Sequence, residues 1–121
     1  MRWSPLAAVL LVAVIPGCGG GDEIELVEGV REPIDVIDNS FAPGEITIQA
    51  GTEIAFRNRG RNDHDVVPVG GDDAWGIPED ELLPGGRPVV RRFTEPGAYP
   101  YFCSIHGTAD AGMVGTITVE R

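Results

Sequence analysis

Turn-forming residues interrupt this chain about every six to twelve residues from Pro33 to its end. Gly51 and Gly97 are examples, and no segment between such positions is long enough for an ordinary amphipathic helix. Apolar and polar residues alternate in several of these short segments, as Ile46 and Ile48 do. This spacing is typical of all-β proteins and predicts an antiparallel Greek-key β-sandwich of about seven to eight strands.

The alternating segments locate individual strands. Ile54 and Phe56 fall on one face of their segment, so both are predicted to point into the core. Two further segments bracket the turn at Pro96-Gly97, which predicts a β-hairpin between them. One short helical turn is predicted inside the acidic loop that follows Gly70. The strands are predicted at residues 34–38, 45–49, 52–58, 89–94, 98–103 and 113–120, and the helical turn at residues 79–83.

The first residues have the composition of an export signal. Arg2 precedes an apolar run of about ten residues, which is too short for a transmembrane helix, since spanning a bilayer takes roughly 20. The sequence Ile15-Pro16-Gly17-Cys18 then resembles the lipobox of bacterial lipoproteins, although Pro16 is unusual there. We expect a signal peptide at residues 1–17, lipid attachment at Cys18, a flexible acidic tether at residues 18–32 and one domain at residues 33–121. A membrane anchor or a buried helix is the alternative for the apolar run.

Acidic residues dominate the predicted mature chain. After removal of Arg2 with the signal peptide, eight Arg and no Lys remain against nineteen Asp and Glu, so the net charge is −11. Such a surface disfavours binding to nucleic acid or anionic lipid and favours a basic partner protein. The acidic run from Asp72 to Glu81 is a candidate for steering such a partner, with an ordinary solvated loop as the alternative.

One short stretch carries most of the chemistry. Cys103 and His106 are separated by two residues, Met113 begins the last predicted strand, and the only other histidine is His64. Two imidazoles, a thiolate and a weak thioether form the ligand set of a trigonal copper site with a long axial bond. Sets of one Cys and two His also bind zinc, although a thioether in the fourth position argues against zinc. Each residue alone has an ordinary structural explanation, so the prediction of a metal site depends on their conjunction.

The same residues lie in segments that resemble the plastocyanin/azurin-type blue copper proteins (cupredoxins), and the plastocyanin branch in particular. The resemblance covers nearly the whole predicted domain, residues 34–119. It implies one type 1 copper ion, with His64, Cys103 and His106 as strong ligands and Met113 as the axial ligand. The segments that carry it are Phe41-Ala42-Pro43, residues 46–52, Phe56-Arg57-Asn58, residues 63–67, residues 97–106 and residues 113–119.

Two departures from the family pattern affect the site. Plastocyanin-like loops are usually shorter between the second histidine and the methionine than the six residues, 107–112, found here. We therefore expect an insertion before Met113, with a longer copper–sulfur distance or a backbone carbonyl in the axial position as alternatives. The family commonly has asparagine after the first histidine, where it ties the two ligand loops together. Asp65 occupies that position, and because an ionised carboxylate only accepts hydrogen bonds, Ser104 would have to be the donor in such a tie.

The resemblance implies a single-electron carrier that cycles between Cu(I) and Cu(II), with His106 as the exit for the electron, and not an enzyme. Two histidines are too few for the additional copper centres of nitrite reductases or multicopper oxidases, and Cys103 has no second cysteine nearby for a CuA-type site. The expected partners are redox proteins, such as a basic c-type cytochrome or a membrane oxidase. We expect an exported monomer, lipid-anchored on the outer face of the cytoplasmic membrane or in the periplasm, with the lipid as its only membrane contact. A copper carrier or store without electron transfer is the alternative function.

Overall fold

The computed structural model describes residues 23–70 and 73–121. The predicted signal peptide and Cys18, the predicted site of lipid attachment, lie outside these residues. Among the described residues, the only helical segments are two 3-10 turns, Asp73–Trp75 and Glu79–Glu81. The second turn confirms the helical turn predicted at residues 79–83. Within the same part of the chain, no helix is long and apolar enough to cross a membrane.

Within residues 23–70 and 73–121, eight strands form two sheets of four strands each. In chain order they are β1 (Arg31–Ile37), β2 (Ser40–Ala42), β3 (Glu45–Gln49), β4 (Glu53–Asn58), β5 (Val67–Pro68), β6 (Val89–Arg92), β7 (Gly97–Gly107) and β8 (Gly112–Glu120). The first sheet has the order β2-β1-β4-β6, and the second has the order β3-β8-β7-β5. The β-sandwich predicted from the spacing of turns is therefore confirmed.

Both sheets are mixed rather than wholly antiparallel, in contrast to the prediction. β1 pairs in parallel with β4, and β3 pairs in parallel with β8. The parallel pairs arise because the chain leaves one sheet, contributes a strand to the other, and returns in its original direction. β3, for example, lies between β1 and β4 in the sequence but belongs to the opposite sheet.

The strands β6 and β7 do not form the predicted hairpin. β6 pairs with β4 in the first sheet, whereas β7 pairs with β5 and β8 in the second. The turn at Pro96-Gly97 therefore carries the chain from one sheet to the other. An alternating pattern shows which face of a strand is buried, but it does not show which strand lies beside it.

The core lies between the two sheets and is closed to solvent. Ile54, Phe56 and Ile117 are fully buried, which confirms the orientation predicted for the first two. Tyr101 on β7 is 1% exposed, and its ring packs edge-on against three other aromatic rings, those of Phe41, Phe56 and Trp75. This cluster fixes β7 against the opposite sheet, two residues before Cys103.

The segment that precedes β1 is bound to the sandwich. Val27 donates its backbone N–H to Ala50 (2.9 Å), and the guanidinium group of Arg92 donates to the carbonyl of Val27 (3.2 Å) and the carboxylate of Glu28 (2.8 Å). Gly51 leaves room for this contact, because a Cβ at this position would collide with the backbone of Val27. β1 itself begins at Arg31, so the chain is held by the domain before the boundary predicted at residue 33.

Candidate metal centre

The two candidate ligands on β7, Cys103 and His106, lie in a large bulge of the β7–β8 hairpin. The regular pairing of the two strands is interrupted between Phe102 and Gly107, so the four residues in between lie opposite Met113 alone. In a regular strand, residues three apart point to opposite faces of the sheet. A bulge bends the strand and redirects its side chains. The interruption therefore allows the thiol and the imidazole to turn toward the same point.

His64 reaches this point from the loop between β4 and β5. Asn58, at the end of β4, holds the loop: its side-chain amide donates to the carbonyls of Asn62 and Leu82, both at 2.9 Å, and its oxygen accepts the N–H of Gly60 at 3.0 Å. The side chain of Asn58 is only 4% exposed, so these bonds are largely shielded from water. The position of His64 is thus set by an anchored loop rather than by a strand.

The three predicted strong ligands converge. Sγ of Cys103 lies 3.6 Å from Nδ1 of His64 and 4.0 Å from Nδ1 of His106, and all three ligand atoms lie within 4.8 Å of one another. With bond lengths of about 2.0 Å to nitrogen and 2.3 Å to sulfur, as for zinc, a trigonal site separates nitrogen from sulfur by about 3.7 Å. The observed distances lie on either side of this value, so the donor set fits one metal ion. A soft thiolate with two imidazoles suits Cu(I) and zinc.

Burial favours the neutral, metal-binding form of His64. His64 and Cys103 are both fully buried, whereas His106 is half-buried. The pKa of His64 is held below its usual value, first by burial and then by the neighbouring His106, whose ring centre is 4.9 Å from that of His64. Metals bind the unprotonated imidazole nitrogen, so this environment prepares His64 as a ligand.

Met113 lies opposite the bulge and is 1% exposed, in the same buried cluster as Cys103. The six-residue loop between His106 and Met113 does not disturb the strand pairing on either side of Met113. Gly107 still pairs with Gly112, and the hairpin closes beyond them with a hydrogen bond from the N–H of Thr108 to the carbonyl of Ala111 (2.8 Å). The additional residues therefore extend the tip of the hairpin. The role of Met113 as an axial ligand stays a prediction.

Asp65 ties the two ligand-bearing segments together. Ser104 donates its backbone N–H to Oδ1 of Asp65 (2.7 Å) and its hydroxyl to Oδ2. Both hydrogen bonds run from Ser104 to the carboxylate, in the direction expected from the sequence. The tie joins the residue after His64 to the residue after Cys103, so it fixes the two segments relative to each other.

Asp38 also lies beside the site, although no sequence motif predicts it there. It follows β1, and its Oδ1 accepts the backbone N–H groups of Arg61 (2.6 Å) and Asn62 (3.2 Å). These two hydrogen bonds hold the pKa of Asp38 below its usual value. The same oxygen lies 3.9 Å from Nε2 of His64. No spacing motif marks an aspartate at the end of a strand, so only the fold shows that Asp38 belongs here.

Comparisons with known proteins agree with this geometry. The family described as copper binding proteins, plastocyanin/azurin family, matches residues 32–120. Plastocyanin from Ulva prolifera is 40% identical over 87 residues, which cover 67% of this chain and 87% of that protein. The chloroplastic plastocyanin major isoform of Arabidopsis thaliana is 34% identical over 123 residues, with coverages of 95% and 70%. The solved structure of oxidized plastocyanin from Dryopteris crassirhizoma is 25% identical with a TM-score of 0.62, and the match covers 74% of this chain and 100% of that one.

Proposed function

Because the chain belongs to the plastocyanin/azurin family of copper binding proteins, we propose that it is a type 1 blue copper protein that carries single electrons between redox proteins. The observation that carries the proposal is the convergence of the Nδ1 atoms of His64 and His106 on Sγ of Cys103, at 3.6 and 4.0 Å. We assign these three residues as strong ligands and Met113 as the axial ligand. The proposed role is electron transport and not catalysis.

The chain would hold the ligands rigidly and keep water away from the inner side of the site. A bound copper ion would supply the one-electron couple between Cu(II) and Cu(I). Asn58 anchors the loop of His64, and the tie between Asp65 and Ser104 anchors the bulge of β7. Ligands held in this way need little rearrangement when the charge of the site changes, and a small rearrangement favours fast transfer. The burial of Cys103 and Met113 excludes water from the inner side of the site.

We assign His106 as the point of electron exchange with a partner. It is the only one of the four proposed ligands whose side chain is partly exposed. Two apolar side chains of the same hairpin, Ile105 and Val114, are 44% and 40% exposed. Ile105 directly precedes His106 in the chain, and an exposed apolar side chain next to a partly exposed ligand suits a transient protein contact, because it allows close approach without desolvation of charges.

A basic redox protein is the proposed partner class. The loop between β5 and β6 carries Glu79, Asp80 and Glu81, all exposed. The pKa of Glu79 is raised, first by desolvation and then by its hydrogen bond with Asp63, as expected where carboxyl groups crowd together. Negative charge concentrated in this way accelerates association with a basic protein at low salt. We expect electron transfer from a positively charged c-type cytochrome to slow as ionic strength rises. A rate independent of salt would show that the loop is only solvated.

We also propose that the protein is exported and held by a lipid on Cys18, on the outer face of the cytoplasmic membrane or in the periplasm. The fold is compatible with this arrangement. β1 begins at Arg31 beside Glu53, and Asp38, which follows the other end of β1, lies near His64. The predicted tether therefore joins the sandwich at the end opposite the candidate metal centre. Detergent partitioning of the expressed protein tests the anchor. Wild type should enter the detergent phase and Cys18→Ser the aqueous phase, and identical behaviour of the two would contradict the proposal.

The visible spectrum tests the electron-transfer site. The full-length protein loaded with cupric salt should be intensely blue because of Cu(II)–thiolate charge transfer, and reduction should bleach it. Cys103→Ser should abolish the band, whereas Cys18→Ser, the matched substitution of the other cysteine, should retain it. A colourless wild type would contradict the proposal.

Copper exchange separates this function from that of a copper carrier or store with the same ligands. The reduced protein is mixed with a Cu(I) chelator and taken through repeated cycles of oxidation and reduction. An electron carrier should keep its copper and its blue colour through these cycles. Transfer of the copper to the chelator within the first cycle would favour the carrier.

A further inference from the structure

We infer that Asp38 is a positioning residue for the metal centre: its carboxylate is the outer partner of His64 and directs the metal-binding nitrogen of that ring toward Cys103. The inference rests on the proposed copper site and adds a residue that neither the ligand motif nor the resemblance to a family pointed to. It also assigns to this carboxylate a direct influence on the balance between the two oxidation states.

The side chain of His64 has one nitrogen without a partner. Nδ1 faces Sγ of Cys103 at 3.6 Å, whereas Nε2 is buried and has no hydrogen-bond partner among the described residues. When Nδ1 binds a metal, Nε2 must carry the proton, and histidine ligands normally donate that proton to an acceptor. Oδ1 of Asp38 lies 3.9 Å away, within ion-pair distance and beyond a direct hydrogen bond.

Backbone hydrogen bonds from the loop that carries His64 hold the carboxylate of Asp38 in position. Oδ1 of Asp38 accepts the backbone N–H groups of Arg61 and Asn62, which belong to the loop that leads to His64. Asp38 therefore links the end of β1 to that loop. Gly60 provides the necessary space, since a Cβ at this position would overlap Oδ1 of Asp38. The oxygen that faces Nε2 is thus held in place, and a movement of the imidazole by about 1 Å would bring the two atoms within hydrogen-bond distance.

A carboxylate in this position also has an electrostatic consequence. Cu(II) carries one more positive charge than Cu(I), so a nearby negative charge stabilises the oxidised state more than the reduced state. A neutral acceptor would orient the ring equally well without this preference. The side chain at position 38 therefore affects the orientation of the His64 ring and the reduction potential of the metal in different ways. The two effects can be measured separately.

Three variants of the full-length protein distinguish these effects. Asp38→Asn keeps an oxygen that accepts the N–H groups of Arg61 and Asn62, but it removes the charge. Gly60→Ala keeps the charge but displaces the carboxylate. Asp63→Asn is the control, because it removes the same charge one residue from His64 without touching Nε2. Thermal unfolding of the metal-free proteins establishes that each variant is folded.

The first readout needs no copper. Long-range ¹H–¹⁵N NMR of the metal-free wild type should show the His64 ring protonated at Nε2, with slow exchange of that proton with water. Gly60→Ala should accelerate the exchange. A wild-type ring protonated at Nδ1, or exchange that is equally fast in wild type and Gly60→Ala, would overturn the positioning role whether or not the protein is blue.

The second readout is copper affinity in each oxidation state. Asp38→Asn should weaken Cu(II) binding by about tenfold, at the lower end of the effects known for outer partners of metal ligands, and should weaken Cu(I) binding less. The reduction potential should rise accordingly. An equal change in Asp38→Asn and Asp63→Asn would show that only long-range charge matters and would overturn the inference. Failure of the wild type to become blue would instead refute the proposed copper site.

Discussion

Replacement of Tyr101 by phenylalanine should stabilise this protein, although Tyr101 is among the largest side chains in its core. Its hydroxyl is buried, and among the described residues it has no hydrogen-bond partner. Burial also raises the pKa of the phenol above its usual value, because the charged form would be desolvated. The end of the ring lies against the backbone of Gly115, where an added Cβ would be 2.5 Å from the hydroxyl oxygen. The hydroxyl is therefore a polar group that folding removes from water without compensation.

The expected gain follows from two opposing contributions. An unsatisfied buried hydroxyl costs about 1–3 kcal/mol, which the substitution would recover. The lost oxygen leaves a void of about 10–15 Å³, which costs about 0.3 kcal/mol at ~24 cal/mol per Å³. The ring itself remains, and with it the edge-on contacts with Phe41, Phe56 and Trp75. We therefore expect Tyr101→Phe to raise the free energy of unfolding by about 0.7–2.7 kcal/mol.

Tyr99 supplies the matched control on the same strand. Its hydroxyl donates a hydrogen bond to the carbonyl of Glu95 at 2.6 Å, in an exposed position. Tyr99→Phe removes a satisfied bond and should lower the free energy of unfolding by about 0.5–1 kcal/mol. Urea titration of the metal-free proteins should thus move the two midpoints in opposite directions at similar slopes. Destabilisation of Tyr101→Phe as large as that of Tyr99→Phe would refute the reasoning, because it would mean that the buried hydroxyl has a partner.

Three further predictions concern the metal end of the molecule. Asp65→Asn should raise the reduction potential of the copper-loaded protein, because it removes a negative charge near the metal; an unchanged or lower potential would contradict this. Urea midpoints of the metal-free protein should fall as the pH drops below about 6.5. The pKa of buried His64 is lower in the folded chain than in the unfolded chain, so the unfolded chain takes up the proton first and is stabilised by it. His64→Gln should lack this dependence. Gly112→Ala should lower the free energy of unfolding by about 2–3 kcal/mol, and Gly29→Ala by about 1 kcal/mol. Both glycines have positive φ, but of the two only Gly112 would place a Cβ against a carbonyl oxygen, that of His106 at 2.8 Å. Equal losses in urea titrations would count against that contact.

The strands that bury one face were the easiest part of the structure to predict. β3 was predicted at residues 45–49 and lies at Glu45–Gln49, and β4 was predicted at residues 52–58 and lies at Glu53–Asn58. In both cases the side chains themselves report the burial, so the sequence contains the relevant information locally. The same holds for Cys103 and the two histidines, because rare residue types restrict the chemistry of a site wherever the fold brings them together.

The neighbours of each element were harder to predict, since pairing depends on residues distant in the sequence. The start of β1 is an example: Arg31 pairs in the ladder with Glu53 and forms an ion pair with it at 2.6 Å, across 22 positions of the chain. Asp38 is another example, because its partners at Arg61 and Asn62 are backbone N–H groups. Every residue except proline has such a group, so no pattern of side chains in the sequence predicts the contact.

The bulge in β7 explains why the tie between Asp65 and Ser104 belongs to the fold as well as to the metal site. Cys103 and His106 turn to one side only because the β7–β8 ladder is broken between them, and a broken ladder leaves backbone N–H groups without strand partners. The N–H of Ser104 is one of these groups, and it donates to Asp65 instead. Asparagine at position 65 would keep an acceptor for this N–H, while its NH2 group would face the Ser104 hydroxyl, which would then have to accept a hydrogen bond instead of donating one. Asp65→Asn therefore removes the charge with the backbone bond to the bulge retained, whereas loss of that acceptor would release the bulge that gathers the ligands.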